Sequence, residues 1–271
     1  MRIFFTSSMN ILNEYTLRYI LNHLNYNVVK LKEYPNFNGH PSLTSKLICC
    51  KWSDTTFKAP FPRSKEKYFK YVLNKNTCDI SKKKVMECFE AVFGYDLHVD
   101  PFQTNDLFVV KNNINGKHDG FVSSNKSLTT ESYNIHIHNG MVFQKLIHNE
   151  INEDITLHYR VPVFFCKMIP LVYEATVLNK HRFKPKNKTT IVKRDVDVFS
   201  NEEIIKIFEF CKQMQLDYCE LDILRDNHDM KIYIIDANDT PTVTINGYSK
   251  EEMLNSIKIQ ANCFQYCLTT L

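Results

Sequence analysis

Asp222, Asp236 and Asn238 are the residues of this chain whose types and spacing most directly suggest chemistry. They lie in two apolar runs, Glu220-Leu221-Asp222-Ile223-Leu224-Arg225 and Lys231-Ile232-Tyr233-Ile234-Ile235-Asp236-Ala237-Asn238, joined by the turn-forming Asp226-Asn227-His228-Asp229. The pattern predicts a β-hairpin. Side chains alternate along a strand, so Glu220 and Asp222 share one face, and Asp236 and Asn238 share one face of the partner. A turn centred near Asp229 sets Asp222 directly across from Asp236. Opposed like charges destabilise a sheet, and the apolar neighbours leave little water to screen them, so a positive charge is expected between the two acids. Two carboxylates and an amide oxygen are hard donors, suited to Mg²⁺ held jointly with nucleotide phosphates. Without a ligand, the same pattern is a solvated acidic strand face.

Other reactive residue types carry weaker patterns. His136 and His138 would share a face of a strand over residues 133–138, a spacing compatible with zinc, but no third and fourth ligand follow at a recognisable interval. The basic, aromatic-bearing loop at residues 180–188 could contact a polyanion or an acidic substrate, although such a run is more often a solvated loop. Lys111 ends an apolar strand, where a lysine commonly snorkels to the surface. Cys263 and Cys267, four apart on a helix, read as core thiols, as does Cys219.

The elements that must position these residues follow from periodicity. A strand at residues 2–6, an amphipathic helix carrying Leu12, Tyr15, Tyr19, Ile20 and Leu24, and a strand at residues 27–31 form a βαβ start. A turn-rich passage at residues 35–41 and a short strand at residues 47–50 follow, and residues 60–75 show no clear pattern. Residues 81–93 are helical, with Gly94 placed to end the helix. Short β runs then predict an antiparallel sheet region: residues 107–111, 120–123, 133–138, 141–147, 155–165 and 167–177. The capping box Ser200-Asn201-Glu202-Glu203 opens a helix through about Met214, and Ser249-Lys250-Glu251-Glu252 opens a C-terminal one.

Composition narrows the class. The chain has 271 residues, 44% hydrophobic and 24% charged, enough for one large or two modest globular domains. A net charge of +4 spread along the chain makes nucleic-acid binding unlikely to be its role. The most apolar stretch, residues 161–173, is interrupted by Lys167 and Pro170 and is shorter than the ~20 residues of a membrane span. Polar Thr6-Ser7-Ser8 follow too soon after Met1 for a signal-peptide core. Nine cysteines without a Cys-x-x-Cys fit reduced thiols in the cytoplasm. Only six glycines leave few sites for backbone cradles around phosphates.

The order of the short motifs resembles the ATP-grasp superfamily. Leu221-Asp222 followed by Ile232-Tyr233-Ile234-Ile235-Asp236-Ala237-Asn238-Asp239-Thr240-Pro241 looks like its terminal metal-binding motif. Leu107-Phe108-Val109-Val110-Lys111 resembles the strand ending in a phosphate-contacting lysine, with Asn112 to Gly120 in the place of the phosphate-covering loop. Gln144, Lys145, Leu146 and Ile147 resemble the hinge where backbone groups meet adenine, and Lys82, first of three consecutive lysines, stands where a second phosphate-contacting lysine is found. Arg160 matches an arginine facing the nucleotide or acyl phosphate, although the acidic residue often found just before it is absent. The loop has only Gly116 and Gly120, and Thr242 replaces a glycine common after the proline.

The resemblance implies an α/β (α+β) ATP-grasp fold with an N-terminal βαβ lobe and two lobes enclosing ATP. Its division is an N-terminal lobe over residues 1–78 and an ATP-grasp region over 79–271, split into a central lobe (79–147) and a metal-binding lobe (148–271). It implies a ligase using ATP and Mg²⁺, with Mn²⁺ as an alternative ion, to join a small-molecule or peptide carboxylate to an amine or thiol through an acyl phosphate. Arg160 and Lys111 would be catalytic, Lys82, Lys111 and the hinge residues would bind nucleotide, and Asp222, Asp236 and Asn238 would bind metal. The alternatives are phosphoryl transfer to a hydroxyl and a non-catalytic nucleotide-binding or scaffold protein on the same fold.

Overall fold

The computed structural model describes residues 2–6, 15–30, 47–183, 187–243 and 249–270. Leu12, Leu31, the turn-rich passage at 35–41, the Ser7-Ser8 pair and residues 184–186 of the basic loop lie outside the described residues.

The chain opens with β1 (Arg2–Phe5), α1 (Thr16–His23) and β2 (Asn27–Lys30), with β2 parallel to β1 as a βαβ unit requires. Further on come β3 (Ile48–Cys50), a single helical turn α2 (Arg63–Glu66) and β4 (Tyr71–Leu73), which complete a four-stranded parallel sheet of order β2-β1-β3-β4. The strand at residues 71–73 sits in the passage that shows no sequence pattern, because three residues are too few to display a period.

The helix α2 is followed by the long helix α3 (Lys82–Phe93), capped where the sequence predicts. The Ser81 hydroxyl accepts from the Lys84 amide, and Gly94 takes a left-handed φ of 78° that favours glycine. Then β5 (Phe108–Asn112), β6 (Phe121–Ser123), α4 (Thr130–His138) and β7 (Met141–Lys145) form a three-stranded antiparallel sheet, β6-β5-β7, with α4 packed on β7.

Residues 133–138 are therefore helical, not a strand. Tyr133, Ile135 and Ile137 alternate, but the alternation marks no buried face: Ile135 and Ile137 are 52% and 49% exposed. The start of α4 is set instead by the reciprocal cap of Thr129 and Ser132, whose hydroxyls bond each other's backbone amides at 3.1 and 2.9 Å. On a helix, His136 and His138 point about 200° apart, so the zinc spacing is lost.

Next come β8 (Glu150–Asn152), β9 (Ile155–Phe164), β10 (Val172–Leu178), β11 (Asn187–Lys193), α5 (Asn201–Gln213), β12 (Tyr218–Arg225), β13 (Ile232–Asn238) and α6 (Lys250–Thr269). The strands form one antiparallel sheet, β11-β10-β9-β12-β13, with β8 alongside β9. Two boundaries differ from the sequence reading. The strand expected from residue 167 begins at Val172, because Phe165 and Cys166, both with left-handed φ, make a tight turn closed by the Lys167 amide on the Phe164 carbonyl, and Pro170 has no amide to give a ladder. The basic loop ends at Asn187, where the β-prone Thr189-Thr190-Ile191-Val192 run pairs with β10.

The main core lies between the larger sheet and helices α3 and α5, and includes Phe89, Val161, Val163, Phe210, Leu221 and Ile234. Helix α6 packs on α1, and its Ala261, Phe264, Cys267 and Leu268 share a core with Ile3, Phe5, Ile20 and Trp52. Among the described residues, no helix is long and apolar enough to cross a membrane.

Asn74 fastens the parallel sheet to the larger one. Buried, with φ of 55°, it accepts from the Asp217 and Tyr218 amides through Oδ1 at 2.7 and 2.9 Å and donates from Nδ2 to the Tyr218 carbonyl at 2.8 Å. Removing the side chain strands buried backbone groups, each worth about 1–3 kcal/mol. Asn74→Ala is expected to lower unfolding stability in urea by roughly 2–4 kcal/mol. Asn74→Gly relieves the φ but loses the same bonds, and wild-type stability in that variant would show that the bonds are not what matters.

Candidate functional site

The hairpin places Asp222 and Asp236 as direct cross-strand partners, with Glu220 opposite Asn238. A β-bulge interrupts the register between Asp222 and Ile223, where Ile235 is the extra residue of the facing strand. The bulge has a use: the freed Ile235 carbonyl accepts from the Lys111 ammonium at 3.2 Å.

Three cations converge on the acidic pair, one from each neighbouring element. Lys111 comes from the end of β5. Lys82, at the first turn of α3, lies 3.7 Å from the Asp236 carboxylate and donates to the Ile114 carbonyl at 3.1 Å. Of the three consecutive lysines, Lys83 is exposed and Lys84 pairs with Glu87. Arg160 of β9 pairs across the sheet with Asp222 in register and makes an ion pair with buried Glu220, which also accepts from the Thr16 hydroxyl at 3.3 Å. Glu220 supplies from β12 the acidic partner that no residue immediately before Arg160 provides.

Arg160, Asp222 and Asp236 line an open cleft. Burial pushes the Asp222 carboxyl up to about 6, with Asp236 and Glu220 adding to the rise and Arg160 and Lys111 opposing it. Burial lowers Lys111 to about 8, with Lys82 pushing the same way and the two aspartates resisting. The Arg160 guanidinium is raised by Glu220 and Asp222 despite its burial. The positive charge expected between the acids is thus present in the protein's own side chains. The donor set still fits a hard cation, since Asp222, Asp236 and Asn238 offer oxygen only and face one cavity; Asn238 Oδ1 also accepts from the Thr240 amide at 2.9 Å.

That cavity, about 500 Å³, is walled by Asp54, Thr56 and Phe57 of the parallel-sheet lobe, by Asn115, Gly116 and His118 of the β5–β6 loop, and by Arg160, Asp222, Asp236 and Asn238. The loop is held by side chains where glycine is scarce. Asn112 Oδ1 accepts from the Ile114 amide, Asp119 accepts from the Asn112 amide, and the Asn115 amide donates to the Thr56 hydroxyl at 2.9 Å. At its far end Gly120 is pressed by the Phe183 ring, and a Cβ there would meet the ring at 2.8 Å.

A second cavity, about 1110 Å³, opens between the three-stranded and six-stranded sheets, with Leu107, Val122, Leu146, Ile155, Leu178 and Phe183 among its walls. Gln144 of β7 is buried, and its Nε2 finds no acceptor among the described residues. A buried donor without a partner is costly, and a purine ring nitrogen is the kind of acceptor that relieves it. The rest of the hinge is more committed than the sequence suggests. Lys145 reaches the hairpin turn, bonding Asp226, Asp229 and the Tyr233 hydroxyl, its amide donates to the Leu97 carbonyl, and the Ile147 carbonyl accepts from Arg182.

The ATP-grasp ligase PsnB, crystallised with a phosphomimetic minimal precursor, Mg and ADP, aligns with a TM-score of 0.56 over 96% of this chain and 97% of its own, at 11% identity. A RiPP-associated ATP-grasp ligase of Chryseobacterium gregarium, bound to ADP and a leader and core peptide, aligns at 0.55 over 97% and 96%, with 12% identity. D-alanine–D-alanine ligase of Bacillus anthracis aligns at 0.51 over 97% of each chain, with 12% identity. The chain has the ATP-grasp fold. No protein-family model and no curated protein matches its sequence.

In this ATP-grasp fold the β5 lysine and the α3 lysine meet at the hairpin's acidic strand. Asp54 and Lys58, which the sequence did not single out, join the parallel-sheet lobe to Thr240 and Asp239 at the hairpin's end, and Thr56 joins it to the β5–β6 loop. Lys58 and Asp239 form an ion pair in which both side chains are almost wholly buried. No periodicity announces it, because its partners lie 181 residues apart. Breaking such a pair from one side leaves an uncompensated charge, at roughly 3–5 kcal/mol. Lys58→Met is expected to lower the unfolding temperature steeply, and Lys58→Met combined with Asp239→Leu to recover most of the loss; a double variant no more stable than the single one would show that the pair itself is not responsible.

Proposed function

We propose that this protein is an ATP- and Mg²⁺-dependent ligase that joins a small-molecule or peptide carboxylate to an amine. The observation that carries the reading is the register of the hairpin, which opposes Asp222 and Asp236 under Lys82, Lys111 and Arg160. A fold shared with ligases crystallised with ADP and Mg gives that arrangement its context.

When bound, Mg·ATP supplies the phosphoryl group that converts the carboxylate to an acyl phosphate, from which the amine displaces phosphate. The chain's part is positioning and electrostatics, and no protein nucleophile is required. Asp222, Asp236 and Asn238 would hold the metal. Lys82 and Lys111, which contact Asp236 and the Ile235 carbonyl, would contribute positive charge toward the phosphates. Arg160, fixed by Glu220, presents its remaining guanidinium donors to charge that develops on the reacting carbonyl and phosphate. Gln144 would give adenine the bond its Nε2 lacks, and the β5–β6 loop would cover the phosphates.

Asp236→Ala is expected to abolish Mg·ATP-dependent ADP formation and to weaken Mg·AMPPNP binding at least tenfold by calorimetry; undiminished binding and turnover would reject the assignment. Arg160→Met is expected to leave Mg·AMPPNP affinity within a few-fold of wild type while lowering the rate of ADP formation about 10²-fold, the usual cost of losing one donor to developing charge. An equal loss in affinity and rate would assign Arg160 to nucleotide binding alone.

A further inference from the structure

Arg160 brings a positive charge to the cleft, and a guanidinium serves a reaction only if its direction is fixed. It reaches Glu220 through Nε, and among the described residues no hydrogen bond engages its two terminal nitrogens. The Glu220 carboxylate therefore governs where those nitrogens point. Glu220 is buried, and among the described residues each of its oxygens has one side-chain donor: Arg160 on Oε2, and the Thr16 hydroxyl on Oε1 at 3.3 Å. The two donors belong to different lobes, Arg160 to β9 of the larger sheet and Thr16 to the first turn of α1.

The last torsion of a glutamate is broad and roughly two-fold, so the side chain does not set the plane of its own carboxylate. A donor prefers to lie near the plane of the oxygen it bonds, and turning that plane turns the guanidinium attached to it. Thr16 is placed to hold it still. It is buried and β-branched, which restricts its rotamers. Its amide donates to the Pro241 carbonyl at 2.9 Å, just beyond the metal-binding strand, and the Leu17, Ile20 and Leu21 that follow it share a core with Ala261 and Phe264 of α6. Tyr218, two residues from Glu220 on the same strand face, has a buried hydroxyl without a partner among the described residues, so it does not share the task.

Resting on the ligase reading above, we propose that Thr16 is a positioning residue: from the parallel-sheet lobe it fixes the Glu220 carboxylate and, through it, the direction in which Arg160 offers its free donors. Thr16 acts on Arg160 only through Glu220. Without the hydroxyl, Oε1 loses its oriented donor and the carboxylate plane is free to turn, so the guanidinium sweeps a wider arc while its ion pair with Oε2 persists. The parallel-sheet lobe, which supplies neither the hairpin acids nor Lys82 and Lys111, thereby acts on the transfer step and not on nucleotide affinity.

The test compares Thr16→Val, which keeps the shape and removes the donor, with Thr16→Ser, which restores it. In the full chain labelled with ¹⁵N-arginine, the Arg160 Nε–H signal is identified by its absence from Arg160→Met, and its proton exchange with water is measured without nucleotide. Thr16→Val is expected to speed that exchange about tenfold or more, as a freed carboxylate holds the proton less steadily, and Thr16→Ser to stay within about twofold of wild type. Exchange unchanged in Thr16→Val, or raised equally in Thr16→Ser, overturns the proposal. In ADP formation Thr16→Val is expected to lower the maximal rate about tenfold while Mg·AMPPNP affinity stays within about twofold; a loss of affinity as large as the loss of rate overturns it as well. The two readings fail separately: a wild-type protein that binds no Mg·AMPPNP refutes the ligase reading, and the proton-exchange comparison then decides on Thr16 by itself.

Discussion

Two carboxylates held face to face on adjacent strands set the terms for the rest of this molecule. Asp222 and Asp236 oppose each other in register, and an unscreened pair of that kind would drive the hairpin apart. What keeps it together is a ring of cations drawn from three separate elements: Lys82 from a helix start, Lys111 from a strand end, and Arg160 from the next strand of the sheet. Each is brought in by a local device. A serine cap aims the first turn of the helix at the site, a bulge at Ile235 frees a carbonyl for Lys111, and Glu220 fixes Arg160 from below. The same cations are the ones a polyphosphate needs, so the arrangement that offsets the paired carboxylates also makes the cleft receptive.

Much of this was legible in the residue order. Hairpin alternation and turn chemistry located the acids and their register, because both are local signals written within twenty residues. The capping boxes at Ser200 and Ser249, and Ser81 with Gly94, likewise announced their helices. Local signals failed where two of them competed. At residues 133–138 the alternation of Tyr133, Ile135 and Ile137 was outweighed by the cap at Thr129, and after Phe164 a turn built from Phe165 and Cys166, without glycine or asparagine, delayed the next strand.

The site's other half could not be read that way. Asp54, Thr56, Lys58 and Tyr15 meet Asp239, Thr240 and Asn115 only through the tertiary fold, across separations with no period. Strand alternation asked for a positive charge between the acids, and the tertiary fold supplies it from Lys82, Lys111 and Arg160. A strand pattern states what a side chain faces, and the identity of the opposing wall is a property of the assembled lobes.

The packing of α6 has a temporal consequence. Its Ala261, Phe264, Cys267 and Leu268 complete the hydrophobic core begun by Ile3, Phe5 and Ile20. On a ribosome, where earlier segments ordinarily settle first, the parallel-sheet lobe must wait with part of its apolar surface uncovered until nearly all of the described chain has emerged. The wall that carries Asp54 then becomes firm only once the hairpin it faces has already emerged.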